Sequence, residues 1–420
     1  MSEAKPFDIP KALLWEAWQR VKANKGAAGI DGQTIGEFEA DLSKNLYRIW
    51  NRMSSGSYFP PAVKAVPIPK KSGGERVLGV PTVGDRIAQT AVTLLLEPNL
   101  ERLFHGDSYG YRPGRSAHDA LAVTRTRCWE RDWVLEYDIR GLFDNIDHEL
   151  LLKALRKHCS ERWVILLVER WLTAPMRGRD GIEYPRTVGT PQGGPLSPVL
   201  ANLFLHYALD RWLAMHHPDI PFCRYADDGI LHCRTEDEAN TMRKHLDARL
   251  RDCKLELHPD KTRVVYCKDG RRTGTHEHVS FDFLGYTFRP REVVYPDGRK
   301  GTGFTPALSR SSMTAMRQTM RRRRLHHRSE WTLAELARAM DPQVRGWVAY
   351  YCRFRGSEFQ PVASHLDRII VRWAMRKFKR LRGHKRRAIA WLDRQKRERP
   401  ATFVHWNGRG AFAVGTMGAR

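Results

Sequence analysis

The hydrophobic and polar positions of this chain change period along its length, and the changes mark its elements. From Pro10 to about Asn24 the spacing predicts a helix with Leu14, Trp18 and Val21 on one face, ended by Lys25-Gly26-Ala27-Ala28-Gly29. A second helix is predicted from Thr34, where Glu37 completes a capping box, with Ile35, Phe38, Leu42, Leu46 and Ile49 as its buried stripe. Between Pro60 and Pro81 the pattern turns extended. Two short runs around Lys71-Ser72-Gly73-Gly74-Glu75 predict a hairpin with Lys70 and Arg76 at its base. Helical spacing returns from Asp85 to Leu103, from Leu150 to Trp171, from Leu196 to Leu213 with Ser197 as cap, and from Glu236 to Cys253. Period two governs Trp133 to Ile139, where Trp133, Leu135, Tyr137 and Ile139 share one face and Val134, Glu136 and Asp138 the other. Arg263 to Tyr266 and Phe281 to Phe288 read as further strands. From about residue 303 the spacing is helical again: a basic helix over 313–324, then apolar stripes of Leu333, Leu336 and Met340 and of Trp347, Tyr350, Tyr351 and Phe354. A mixed half followed by a helical half makes the chain α+β.

One stretch carries chemistry. Apolar and aromatic runs flank Ala226-Asp227-Asp228-Gly229, and an Asp-Gly pair between such runs predicts a tight hairpin with two carboxylates at its tip. Taken alone, a turn aspartate beside glycine is explained by backbone preference. Asp138 adds to the picture, because it sits near the exit of the upstream strand. Should that strand neighbour the hairpin in one sheet, three carboxylates converge. Like charges about 4 Å apart repel by roughly 4 kcal/mol at an effective dielectric near 20, so such a cluster holds only if protonated or bound to cations. Oxygen-only ligation suits Mg²⁺, and two such ions can clamp the attacking and leaving oxygens of an in-line phosphoryl displacement.

Composition narrows the class. The 420 residues are 41% hydrophobic, enough for two to three folded domains, and wholesale disorder is excluded. No apolar run reaches a membrane span and no signal peptide opens the chain, so no membrane partner is expected; the cytosol is the expected place, with nucleoid association when acting on DNA. Seven scattered cysteines without a Cys-x-x-Cys pair suggest reduced thiols rather than disulfides or structural zinc. The net charge is +25, and residues 301–420, with 27 Lys/Arg against 7 Asp/Glu, hold +20 of it. Charge concentrated this way is a footprint for nucleic acid. Over 373–399 it interleaves with Trp373, Phe378, Ile389 and Trp391, which favours a folded binding surface over a solvated charge run.

Tyr225-Ala226-Asp227-Asp228, with Asp138 and Gly189-Thr190-Pro191-Gln192-Gly193-Gly194-Pro195-Leu196-Ser197-Pro198 ahead of it, resembles the palm of a reverse transcriptase. It most closely resembles the group II intron reverse transcriptase/maturase family, over about residues 10–410. The resemblance implies a right-hand polymerase: an N-terminal extension (1–55), fingers and palm (56–300), a helical thumb or maturase X domain (301–372) and a basic nucleic-acid-binding region (373–420). It implies that Asp138, Asp227 and Asp228 hold two Mg²⁺ ions, with Mn²⁺ able to substitute, and that a primer 3′-hydroxyl attacks a dNTP. Lys70 and Arg76 match the family's triphosphate-binding pair, Phe143 its steric gate against a ribose 2′-hydroxyl, and Gln192 a contact to the incoming nucleotide or the template base. Lys261 matches a motif residue able to protonate the leaving pyrophosphate, and an exposed loop lysine is the plainer reading. Phe143 alone reads as core, Gln192 as a turn residue, and Asp147 as a helix cap.

Arg112 and Arg115, in a loop of aromatics, glycines and arginines, are expected to contact the template. Arg321, Arg322, Arg376, Lys377, Lys379, Arg380, Lys385, Arg386 and Arg387 are expected to meet the RNA backbone. Phe281 to Phe288 resembles the primer grip. The expected partners are the parent group II intron RNA, a DNA target and primer, and dNTPs, on a protein that is a monomer or a dimer on RNA. The nuclease module with Cys-x-x-Cys pairs found in many members is missing from this sequence. Two rival readings remain: an RNA-binding splicing cofactor with little polymerase activity, disfavoured by the intact aspartates, and a reverse transcriptase recruited to defence, including CRISPR-associated types. An RNA-dependent RNA polymerase is disfavoured because Phe143 would crowd a ribose.

Overall fold

The computed structural model describes residues 5–69, 74–294 and 297–407. Two compact units emerge, one of residues 1–116, 135–231 and 240–262, the other of residues 117–134, 232–239 and 263–420.

The helices of the first unit are α1 (Lys11–Ala23), α2 (Ile35–Ala40), α3 (Leu42–Ser54) and α4 (Val83–Glu101). After α5 (Ala117–Glu130), which belongs to the second unit, come α6 (Leu142–Asn145), α7 (His148–His158), α8 (Arg162–Thr173), α9 (Ser197–Leu205), α10 (Arg211–His216) and α11 (Glu236–Asp252). The second unit continues with α12 (Arg310–Arg322), α13 (Leu333–Arg355), α14 (Gln360–Lys377) and α15 (Lys385–Glu398). The strands are β1 (Val63–Pro69), β2 (Glu75–Val80), β3 (Trp133–Asp138), β4 (Met176–Arg177), β5 (Glu183–Tyr184), β6 (Phe222–Tyr225), β7 (Asp228–Cys233), β8 (Arg263–Tyr266), β9 (Phe281–Phe283), β10 (Tyr286–Val294) and β11 (Lys300–Leu308). They form three sheets, ordered β2-β1-β4-β5, β6-β7-β3-β8 and β11-β10-β9.

Local signals set most of these elements. Thr34 caps α2 and Glu37 returns the bond to the Thr34 amide, so both halves of the capping box form. The expected single helix from Thr34 nevertheless breaks at Asp41, where φ is −117° and ψ 38°, and resumes as α3. The break lets Phe38 and Ile49 both be buried, with Phe38 stacked on Trp18 at 5.3 Å. The helix expected from Leu150 to Trp171 is likewise two, α7 and α8, and Asp147 accepts the Leu150 amide at 2.9 Å as the cap of α7.

Three further differences lie near the chemistry. The two-residue turn between β6 and β7 is Ala226-Asp227, not Asp228-Gly229, because Tyr225 pairs with Asp228. Ala226 takes the positive φ, 58°, that a tight hairpin demands. Gly229 lies within β7 for another reason: a Cβ there would stand 2.1 Å from Cζ of Tyr137. Second, Ser197 does not cap its helix; its hydroxyl donates to the Pro191 carbonyl at 2.8 Å. The helix it begins widens into a π-turn over His206–Asp210 before α10. Third, the single strand expected from Phe281 to Phe288 is a hairpin. Leu284 and Gly285, at φ 51° and 78°, form its turn, and Phe281 and Phe288 stack across it at 4.7 Å. The aromatic positions slip from odd (281, 283) to even (286, 288) across the turn, a one-residue shift of phase that marks it.

In the second unit, the two apolar stripes expected after residue 330 lie on one 23-residue helix, α13, whose start carries a second complete capping box, Thr332 with Glu335. Leu336, Met340 and Val344 join Leu366, Ile369, Ile370, Trp373, Ala388, Leu392 and Phe403 in one apolar core. Helix α14 runs straight through the expected boundary at 372/373, and this core draws on both sides of it. All seven cysteines are buried. Among the described residues no helix is long and apolar enough to cross a membrane.

Candidate active site

The acidic turn is held by its own backbone and by a buried ion pair beneath it. Ile139 donates its amide to the Asp227 carbonyl at 3.1 Å, and His258 donates to the Asp138 carbonyl at 2.8 Å, so strand, turn and the loop before Lys261 are tied together. Asp138, Asp227, Asp228 and Lys261 thereby meet. Asp138 is 7% exposed and accepts a hydrogen bond from Lys261 Nζ at 2.9 Å. Asp228 is hydrogen-bonded to Asp138; burial, then the neighbouring Asp227 and Asp138, push its carboxyl up to about 8. Asp227 is raised as well, by burial and then by Asp138. Burial lowers and the Asp138 bond raises the Lys261 ammonium, which ends above its ordinary value. Lys261 thus grips its proton more firmly than a free lysine.

Below the turn, Arg224 is 0% exposed and donates from Nε and Nη2 to both oxygens of Asp210, at 2.7 and 2.6 Å. Its remaining donors reach Ser108 Oγ at 2.7 Å, Asn202 Oδ1 at 3.2 Å and the Ala226 carbonyl at 3.1 Å. Every face of the fork is engaged, and one bond lands on the turn itself. The π-turn ending at Asp210 is what carries that carboxylate into place. Neither residue was singled out from sequence. An arginine inside the apolar run of β6 signals a buried charge in need of a partner, but the identity of that partner depends on the π-turn.

The loop before Arg112 forms the other side of the turn. Asp107 and Tyr109 exchange backbone hydrogen bonds with Arg224, and a Cβ at Gly110 would stand 2.5 Å from the Ala226 nitrogen. Glycine at 110 is required by this approach. Tyr111, 53% exposed at φ 57°, follows directly. Burial first, then Asp227 and Tyr225, raise its hydroxyl while Arg76 lowers it, so Arg76 from β2 and Asp227 act on one ring. Phe143 is half-buried and meets Tyr111 edge-on at 6.3 Å. Tyr111 belongs to this neighbourhood, and nothing in the pattern of its loop sets it apart from Tyr109.

Other expected residues fall elsewhere. Gln192 donates Nε2 to both Asp144 oxygens at 3.1 and 3.0 Å, and its carbonyl accepts the Gly79 amide at 2.7 Å, docking the glycine-rich segment on β2. Arg115 is exposed, its guanidinium 5.7 Å from the Tyr109 ring. Arg112, by contrast, is bound within the chain. Its side chain is 3% exposed and bound to Glu101 at 2.6 Å and to the carbonyls of His105 and Ser108 at 2.6 Å, which leaves little of the fork for a template. Lys377 is turned inward too, donating to the Ser329 and Trp331 carbonyls at 2.9 and 2.8 Å. Arg321, Arg322, Arg376, Lys379, Arg380, Lys385, Arg386 and Arg387 are exposed. Lys70 lies outside the described residues.

Among the described residues no group of three or more His, Cys, Asp and Glu side chains stands ready-made around a metal ion. The donor set still suits a hard divalent cation. It consists of carboxylate oxygens, and burial together with mutual repulsion raises both Asp227 and Asp228, an excess of negative charge that a bound cation would relieve.

Residues 68–288 match the family described as reverse transcriptase (RNA-dependent DNA polymerase), more than half of the chain, and the chain belongs to that family. Residues 313–391 match the group II intron, maturase-specific domain. Protein YkfC of Escherichia coli (strain K12) is 33% identical over 327 residues, 68% of this chain and 82% of its own length. Group II intron-encoded protein LtrA of Lactococcus lactis subsp. cremoris is 36% identical over 205 residues, 48% of this chain, and the alignment spans only 33% of LtrA. A telomerase structure from Candida albicans overlays with a TM-score of 0.47 at 14% identity, over 85% of this chain and 65% of that one, too loosely to bear on the fold.

Proposed function

We propose that this reverse transcriptase copies RNA into DNA at the turn carrying Asp227 and Asp228, and that it binds a group II intron RNA, assists its splicing and copies it at a DNA target. The observation that carries the reading is the convergence of Asp138, Asp227 and Asp228, with Asp228 pushed up to about 8. Asp138, Asp227 and Asp228 would hold Mg²⁺, two ions in all. When bound, the ions supply Lewis acidity toward the primer 3′-hydroxyl and the departing pyrophosphate. Arg76, and Lys70 by resemblance, bind the triphosphate. Phe143, backed by Tyr111, closes the space a ribose 2′-hydroxyl would need. Gln192 fixes the glycine-rich segment near the incoming base. Lys261, hydrogen-bonded to Asp138, balances its charge and, by resemblance, protonates the departing pyrophosphate. Residues 1–55 form the N-terminal extension, 56–300 the fingers and palm, 301–372 the thumb or X domain, and 373–420 the basic nucleic-acid-binding region in this reading.

Primer extension on an RNA template with Mg²⁺ and either dNTPs or NTPs tests it. Extension is expected with dNTPs only, falling by at least about 10³-fold in Asp227→Ala. Tight RNA binding without extension in the wild type would instead indicate a splicing cofactor.

A further inference from the structure

We propose that a cleft in the second unit, lined by His326, Arg372, Met375, Arg376, Arg382 and Gly383, binds one nucleoside phosphate unit presented by single-stranded RNA, its phosphate on the guanidinium groups and its base against Met375. The proposal rests on the RNA-binding part of the reading above and adds a discrete site to it.

Three observations converge. The first is charge. Three arginines and a histidine line the cleft and no carboxylate does. Among the described residues no ion pair engages Arg324, Arg372, Arg376 or Arg382. Arg372 spends only Nε, on the Arg368 carbonyl at 3.3 Å, and Arg376 only one terminal nitrogen, on His327 Nδ1 at 2.7 Å and the His326 carbonyl at 3.4 Å. Burial first, then His327, Arg372, Arg376 and Arg324, hold the His326 imidazole below its usual range, an independent sign of crowded positive charge. Lys377 shows the contrast, its ammonium spent on two carbonyls.

The second is backbone geometry. Arg372 and Arg376 stand one turn apart on α14, and left-handed residues frame the cleft. Arg324, at φ 47°, opens the short helix Leu325–His327, and Gly383, at φ 77°, follows Arg382. A non-glycine residue in that region costs free energy and persists where the surroundings demand it. The third is size. The cleft measures about 370 Å³, within the range of about 300–1,000 Å³ typical of small-ligand pockets and more than a bare phosphate needs. Met375 supplies an apolar wall for a base, which a duplex would keep stacked and paired.

The test measures binding of the full chain to a labelled oligo(A) RNA of about 20 nucleotides, and to free AMP, for wild type, Arg372→Gln, Arg382→Gln, Arg382→Lys and Arg394→Gln. Arg394 is an exposed arginine on α15 outside the cleft, so its variant removes equal charge. Loss of a charge-assisted fork should weaken RNA binding by about tenfold or more for Arg372→Gln and Arg382→Gln, against about twofold for Arg394→Gln. Arg382→Lys should stay weaker than wild type because a point charge does not replace the fork. AMP binding lost in Arg382→Gln would extend the site to free nucleotides; RNA binding alone would confine it to a strand. Equal losses in all three Gln variants for both probes would overturn the proposal and leave a diffuse basic face. Primer extension by the same variants separates the two readings: extension with equal binding losses removes the cleft and keeps the polymerase, while selective binding losses without extension do the reverse.

Discussion

Asp138, Asp227 and Asp228 are forced together by backbone hydrogen bonds from Ile139 and His258 and by a buried arginine under the turn, whereas Arg321, Arg322, Arg386 and Arg387 of the C-terminal helices stand exposed. Both regions concentrate like charge. In the first, burial makes repulsion strong, and the structure answers with Lys261 and with a network in which each donor of Arg224 has a partner. In the second, water screens the charges and little is needed to hold them apart. The lesson is that the acidic site is fixed in geometry before any ligand arrives, while most of the basic surface is not; the cleft around Arg372 is the exception within it.

The sharpest way to break this contrast is Arg224→Gln. Removing one partner of a buried pair leaves Asp210 uncompensated and is expected to cost about 3–5 kcal/mol, read by urea unfolding of the first unit. Extension activity should fall with it, since Arg224 also holds the Ala226 carbonyl. Arg380→Gln, at an exposed site, should leave the unfolding curve within about 0.5 kcal/mol of wild type.

A second buried acid shows what full satisfaction does. Asp85 accepts bonds from Tyr58, Trp171 and Gln89, yet burial still raises its carboxyl from 3.8 to about 6. Its folded value exceeds its unfolded one, so folding favours the protonated form; the penalty is absent below about pH 3.8 and grows until about pH 6. Stability should therefore fall across that window by about 3 kcal/mol on this group's account. Asp85→Asn should flatten the slope between about pH 4 and about pH 7 in denaturant unfolding. An unchanged slope would mean that Asp85 ionises as freely folded as unfolded.

Gly229→Ala probes the same buried layer sterically. With Tyr137 Cζ 2.1 Å from the new Cβ, an overpacking loss of about 1–3 kcal/mol is expected, whereas Gly346→Ala on α13, where a Cβ meets nothing within 4 Å, should stabilise by up to about 1 kcal/mol. The smallest effect separates two arginines of one loop. Arg115→Gln should weaken RNA binding a few-fold and lower the salt slope by about 1 without changing thermal stability. Arg112→Gln should do the opposite, because its fork is committed to Glu101 and two carbonyls. Equal salt slopes for the two variants would erase the distinction.

The chain itself was enough to reveal the strand ending in Asp138, the paired aspartates, both helix-capped starts at Thr34 and Asp147, and the basic second half, because periodicity, capping and charge are local properties of sequence. Tertiary structure alone decided that Gly229 serves Tyr137 rather than the turn, that Leu284-Gly285 bends a seemingly continuous strand, that Arg112 faces inward, and that Asp210 reaches Arg224 through a π-turn. Each of these depends on which atoms meet across more than ten residues of chain or on a turn that shifts the hydrophobic phase by a single residue. The same alternation fits either outcome, and only packing and the need to pair buried charge select between them.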